Sequence, residues 1–83
     1  MRSVAQLLED RIEIVEVEAA RHSRLIAAPL SELKLPRGVL VAAVKRGEGI
    51  LVPRGEDRVE AGDRVLFITT TESANRLSEF LSG

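Results

Sequence analysis

The stretch Val39-Leu40-Val41-Ala42-Ala43-Val44-Lys45-Arg46-Gly47-Glu48-Gly49-Ile50-Leu51-Val52-Pro53 decides the fold class. Its first six residues are apolar without alternation, the pattern of a central strand covered on both faces. Arg46 to Gly49 forms a tight turn, because glycine takes up the positive φ that such turns demand. Ile50 to Val52 is then the returning strand, stopped by Pro53, which has no N–H to give to a ladder. A hairpin of this kind must pack its apolar faces on something, and the flanking sequence supplies it.

Downstream, Arg54 to Asp63 reads as a loop pinned by Val59, with Ala61-Gly62-Asp63 as a second turn. Arg64 to Thr69 is the next strand, with Val65, Phe67 and Thr69 on one face and Leu66 and Ile68 on the other. Thr71 is positioned to cap a closing helix, with Glu72 in its first turn. Ala74, Leu77, Phe80 and Leu81 form that helix's apolar stripe, and Gly83 closes the chain.

Upstream, Pro29 to Leu33 reads as a short helix opened by proline and ended by Pro36 and Gly38. Ile12 to Ala19 reads as a strand. Its phase slips by one residue between Ile14 and Val15, which calls for a bulge or strong twist. Glu13, Glu16 and Glu18 give it the outer face of a solvated edge strand. Ser3 to Glu9 has Val4, Leu7 and Leu8 at helical spacing, so residues 1–10 are expected to be an N-terminal helix or a linker from an upstream domain. Residues 11–83 form the domain proper. The resulting order is β-α-β-β-β-α after that first segment. The expected fold is α+β, an α/β sandwich with an open sheet of about four strands and helices packed on it.

Bulk composition narrows the function. With 83 residues the chain holds one thin core, so pairing with a second copy is expected. Lys and Arg number 12 against 13 Asp and Glu, a net charge of −1, and there is no Trp or Tyr. That leaves neither the field nor the stacking platforms for nucleic acid. No apolar run approaches the roughly 20 residues of a membrane span, so direct membrane insertion is not expected. Cysteine is absent, which removes thiolate catalysis and thiolate metal sites.

His22 is the sole imidazole, and no serine stands at a spacing that would build a triad around it. Glu56, Asp57, Glu60 and Asp63 cluster as hard oxygen ligands would. They lack the Asp-x-Asp-x-Asp-Gly spacing, however, and alternate with Arg54, Arg58 and Arg64, the pattern of a self-paired turn. The glycines match neither phosphate-loop pattern. No catalytic constellation and no metal site emerge, and the chain is not expected to be an enzyme. Asp63 is expected to bond nearby backbone amides, as turn acids do.

Three segments together resemble the TrkA-C, or RCK C-terminal, domain family. They are Val41 to Arg46; Ile50-Leu51-Val52-Pro53-Arg54-Gly55-Glu56-Asp57; and Glu60-Ala61-Gly62-Asp63-Arg64-Val65-Leu66. The segment Ser23 to Leu33, followed by Leu35-Pro36-Arg37-Gly38-Val39, is similar to the family's upstream region, although Ala27 stands where the family has glycine. The resemblance runs from about Ile12 to Leu81. It implies that Pro53, Arg54, Gly55, Gly62 and Asp63 are motif residues that specify the fold.

The resemblance also implies a role: a cytoplasmic regulatory domain of a potassium uptake or other cation transport system, peripheral to the inner face of the membrane. Family members follow a Rossmann-type nucleotide-binding domain, work beside a transporter subunit and act as dimers. Some bind cyclic di-AMP between two such domains. If this chain binds cyclic di-AMP or another nucleotide, the ligand residues expected are Arg24, Leu25, Ile26 and Arg37, two cations for phosphates and two aliphatics for bases. The alternative implied role is a purely structural dimerisation domain attached to another transporter, an antiporter or a transcription factor.

Overall fold

The computed structural model describes residues 1–82; the expected chain-closing Gly83 lies outside the described residues. Five strands form one antiparallel sheet: β1 (Arg2–Leu7), β2 (Ile12–Glu18), β3 (Val39–Arg46), β4 (Gly49–Leu51) and β5 (Arg64–Thr70). Their order across the sheet is β1-β2-β5-β3-β4. The last strand in sequence thus lies at the centre, and both pairs of earlier strands dock on its edges. One α-helix, α1 (Ala74–Ser82), closes the described chain.

The period-two pattern of β5 is realised as expected. Val65, Phe67 and Thr69 are buried, while Leu66 and Ile68 point to the other face and remain half-buried. Val15 of β2 and Val41 of β3 lie opposite Phe67 on its two sides and join it in the core. The apolar run in β3 has a different explanation from a doubly covered strand. Its pairing with β5 shifts between Val41 and Ala43, so Ala42 is an extra residue. A bulge changes the parity of the strand. Val41 and Val44, three apart, therefore both face the core, and Leu40 is left 60% exposed. One face of this sheet is covered and the other is not.

The phase slip in β2 does not mark a bulge in that strand; the irregularity lies in its neighbour, β1. The β2–β5 register is continuous, whereas the β1–β2 register shifts between Ser3 and Ala5, opposite Val15 and Ile14. This requires two corrections. The segment read as a helix over Ser3–Glu9 is instead strand β1, paired antiparallel to β2 from Arg2 to Leu7. The sheet therefore has five strands rather than about four, and β2 is an internal strand rather than an edge. The physical reason is that β2 offers an unpaired row of N–H and C=O groups, and pairing them outweighs a helical spacing of only three apolar residues. Arg2 contributes an ion pair to Glu16 at 3.0 Å. The β1–β2 turn holds Leu8, Glu9 and Asp10 at positive φ.

Two short 3-10 turns replace the expected second helix. Arg24–Ile26 is capped by Ser23, whose Oγ accepts from the Leu25 amide at 3.0 Å. Leu30–Glu32 follows Pro29, which stands at the cap position. With only one tight turn each, they bury Leu25 and Leu33 rather than a full helical stripe. Leu77 and Phe80 of α1, with Val59 from the loop before β5, complete the core over the same face.

Helix α1 is entered one residue earlier than expected. Thr70 is the cap: its Oγ1 accepts from the Ser73 amide at 3.1 Å, and Thr71–Ser73 forms a 3-10 turn before α1. The Thr71 hydroxyl donates instead to the Asp10 carbonyl at 2.6 Å, tying the β1–β2 turn to the helix start. Ser73 donates its hydroxyl to the Arg37 carbonyl at 2.8 Å.

That last contact makes Gly38 irreplaceable. Its φ is +86°, and a Cβ there would sit 2.5 Å from Ser73 Oγ. Gly47, at φ +59°, has open space where a Cβ would go. Gly47→Ala is therefore expected to cost about 1 kcal/mol, the backbone penalty alone. Gly38→Ala should cost about 2–3 kcal/mol, because strain and a clash add. Thermal unfolding of the two variants by circular dichroism checks the order; equal losses would contradict the close approach at Ser73.

Candidate functional site

The buried carboxylate of Asp63 accepts more hydrogen bonds than any other side chain among the described residues. It is 2% exposed and stands just before β5, after the Gly62 turn. Arg46, the last residue of β3, reaches it bidentately, with Nε donating at 3.0 Å and Nη2 at 2.8 Å. The Glu60 backbone amide donates to the same carboxylate at 2.8 Å. The expected bond to a turn amide is there; the arginine is what sequence reading missed. Arg46 also donates to the Arg58 carbonyl at 3.0 Å and pairs with Glu60 at 3.1 Å. Around this centre, the Gly62 amide donates to the Ala19 carbonyl and the Ala19 amide to the Asp63 carbonyl, each at 2.8 Å.

These bonds occupy three of the four acids that looked like a cation cluster. Asp63 and Glu60 face Arg46, and Asp57 Oδ2 accepts from the Arg54 amide at 2.7 Å in a tight turn. Among the described residues no group of three or more metal-ligating side chains converges. Among them, too, no helix is long and apolar enough to cross a membrane.

The four expected ligand residues are not gathered in one place. Leu25 is fully buried in the core. Ile26 is half-buried against that core. The Arg24 guanidinium lies over the Phe80 ring, 4.4 Å from its centroid, a cation–π contact near the end of α1. Arg37 is exposed, and its backbone is bonded to Ser73, at the helix start. Those two anchor points, Ser73 and Phe80, are seven positions apart, about 10 Å at 1.5 Å per residue.

A concave site lies instead where β4 falls short. Strand β4 pairs β3 only from Val44 to Arg46, which leaves the outer edge of β3 open at Val39–Val41. Leu30, Ser31 and Leu35 wall this opening on one side; Pro53, Arg54 and Gly55 wall it on the other, around a cleft of about 230 Å³. The walls are fastened to each other: the Ser31 amide donates to the Gly55 carbonyl at 2.9 Å and the Leu30 amide to the Asp57 carbonyl at 3.0 Å. The lining is mainly apolar, with one cation, Arg54. Arg37 is the next residue but one before Val39 along the chain. The motif residues Pro53, Arg54 and Gly55 thus line a cavity, while Gly62 and Asp63 hold the opposite end of the sheet. Sequence reading had a signal for this cleft: the proline that ends β4 early also leaves the neighbouring edge open.

The fold is shared with an RCK domain of known structure. A solved structure of an RCK domain with cda superposes with a TM-score of 0.69 at 18% identity, covering 82% of this chain and 96% of that one. Residues 14–82 match the TrkA-C domain family, and the chain belongs to it. Among its relatives is the Trk system potassium uptake protein TrkA homolog 1 of Methanosarcina mazei, 35% identical over 86% of this chain and 16% of that protein. Another is the Trk system potassium uptake protein TrkA of Azorhizobium caulinodans, 32% identical over 95% of this chain and 17% of that protein. The chain thus corresponds to about one sixth of the length of these two relatives.

The Arg46 hydrogen bonds, and then the Glu60 amide, hold the Asp63 carboxyl below its usual range, against the opposing effect of burial. A carboxyl with a depressed folded-state pKa contributes stability above its unfolded value, and that contribution is lost as pH falls through the folded one. The Tm of the wild-type chain should therefore fall more steeply below about pH 4 than that of Asp63→Asn. At neutral pH the Asn variant should be less stable by about 1–3 kcal/mol. Parallel melting curves from pH 7 to 2 check both; matching pH slopes would show that the fold does not lower the Asp63 pKa.

Proposed function

We propose that this chain is the regulatory, ligand-sensing domain of a potassium uptake or other cation transport system. It acts at the cytoplasmic face of the membrane, without catalysis. The observation that carries this reading is its membership of the TrkA-C domain family, with Trk system potassium uptake proteins as relatives. Further support comes from the open cleft beside β3 and from the RCK neighbour with cda.

The ligand is cyclic di-AMP or a related nucleotide. Its base fits the apolar wall of Leu30, Leu35 and Val39, and its phosphates meet Arg54 at the opposite wall, with Arg37, two residues before Val39 in the chain, as the second cation. Arg24, already stacked on Phe80, is left to hold the helix. Two copies pair, and a ligand that contacts one arrangement of the pair better than another shifts the population toward it. An upstream Rossmann-type domain and a transporter subunit transmit that shift to the pore. The coupling is limited to the difference in ligand affinity between the two arrangements.

Calorimetry with cyclic di-AMP tests the reading. The expected result is saturable binding of one ligand per dimer, weakened about tenfold or more in Arg54→Ala and in Arg37→Ala, since charge-assisted bonds to phosphate are lost. A loss in Arg24→Ala alone would move the site back to the first 3-10 turn. No binding to the wild-type chain would leave a structural dimerisation domain.

A further inference from the structure

We infer that the uncovered face of the sheet carries a second ligand site, in which Lys45 and Arg64 grip the phosphate monoester of a small organic molecule and Ala43, Ile50 and Leu66 hold its apolar body. The site shares no residue with the β3-edge cleft and does not rest on the nucleotide reading above.

The register puts the two cations together. Lys45 of β3 stands directly opposite Arg64 of β5. Their chain neighbours Val44 and Val65 are buried in the core, so Lys45 and Arg64 point to the uncovered face. Like charges directly opposite on one face destabilise a sheet. The fold gives this pair little relief. Arg64 shares the Glu16 carboxylate with Arg2, at 3.5 Å and 3.0 Å respectively. Among the described residues Lys45 has no ion pair.

The pair is shared by two concavities. One, of about 250 Å³, is bounded by both cations with Glu16, Ala43, Ile50 and Leu66. The other, of about 370 Å³, is bounded by both cations with Gly47 and Gly62. At each of these glycines the place of a Cβ has no atom within 4 Å, so approach from that side is open. Ile50 pairs with Lys45 across the β3–β4 hairpin and is 71% exposed, a bare aliphatic side chain beside two charges.

The donors name the ligand class. A guanidinium is a planar fork and an ammonium a point charge, so the two reach one group from separate directions. Their two positive charges match the dianion of a phosphate monoester better than a single carboxylate or a phosphodiester. Glu16, with Glu18 opposite Arg64 in the same row, repels an anion from the β2 side. The phosphate therefore sits toward β3, and its organic part lies over Ala43 and Ile50.

The test is an NMR titration of the isotope-labelled 83-residue chain at low salt with phenyl phosphate, and separately with inorganic phosphate. Saturable shifts are expected at the amides of Gly47, Ile50, Gly62 and Leu66, with none at Val39 to Val41 in the cleft. Lys45→Gln and Arg64→Gln should each weaken binding about tenfold or more. Lys45→Gln should do so with no fall in Tm, because it also removes the like-charge opposition. Glu16→Gln should tighten binding about threefold or more by freeing Arg64 and removing a repelling charge. Ile50→Ser should weaken phenyl phosphate and leave inorganic phosphate unchanged. Circular dichroism checks that each variant folds. Absence of saturable binding to the wild-type chain, shifts confined to the cleft, or affinity that survives both cation substitutions would overturn the site. Binding to phosphatidic acid vesicles with none to phenyl phosphate would overturn the assignment to a small soluble ligand.

Discussion

The Arg46–Asp63 pair is the constraint around which the rest of the structure is arranged. Asp63 immediately precedes the central strand and Arg46 ends the strand beside it, so their bidentate bond fixes the register of β3 on β5 at the end where the β3–β4 hairpin turns away. The same carboxylate shapes the loop before it through the Glu60 amide, and the Asp63 backbone closes onto Ala19 at the end of β2. Three segments distant in sequence meet at one buried charge. A buried carboxylate without partners would be costly. That cost selects the arrangement in which every partner is present, and the central position of β5 follows from it.

From that anchored end the sheet extends toward a more open one. The early stop of β4 leaves the edge of β3 free beside Pro53 and Arg54, and the gap becomes a cleft because the residue 30–35 segment is bonded across to the residue 55–57 loop. The rigid end and the open end therefore belong to the same strands. A shape change imposed at the cleft would be transmitted along β3 and β5, elements that packing and the Arg46–Asp63 bonds keep from bending freely.

Much of the fold was legible in the sequence because its signals are local. The alternation in Arg64–Thr69, the glycine turn after Arg46, the stop at Pro53 and the stripe through Leu77 and Phe80 each depend on neighbours within a few residues, and each is realised. The misreadings share another cause. The Ser3–Glu9 segment had weak helical spacing, and the unpaired edge of β2 took it as a strand. The apolar run of β3 suggested cover on both sides, whereas a bulge at Ala42 moves Val44 to the core face and leaves Leu40 outside. For the ligand candidates chosen by residue type, only packing could show that Leu25 enters the core and Arg24 stacks on Phe80.

By itself, the sequence determined the family, the kinds of element and the residues that turn the chain. Periodicity, glycine, proline and the Gly62-Asp63-Arg64-Val65 motif act over short spans and survive without knowledge of the partner. Only the tertiary structure decided the strand order, the partner of Asp63, which face of the sheet stays open and which residues line the cleft. Those outcomes depend on pairing between segments tens of residues apart. There, the cost of leaving backbone groups or a buried charge unpaired outweighs any local preference.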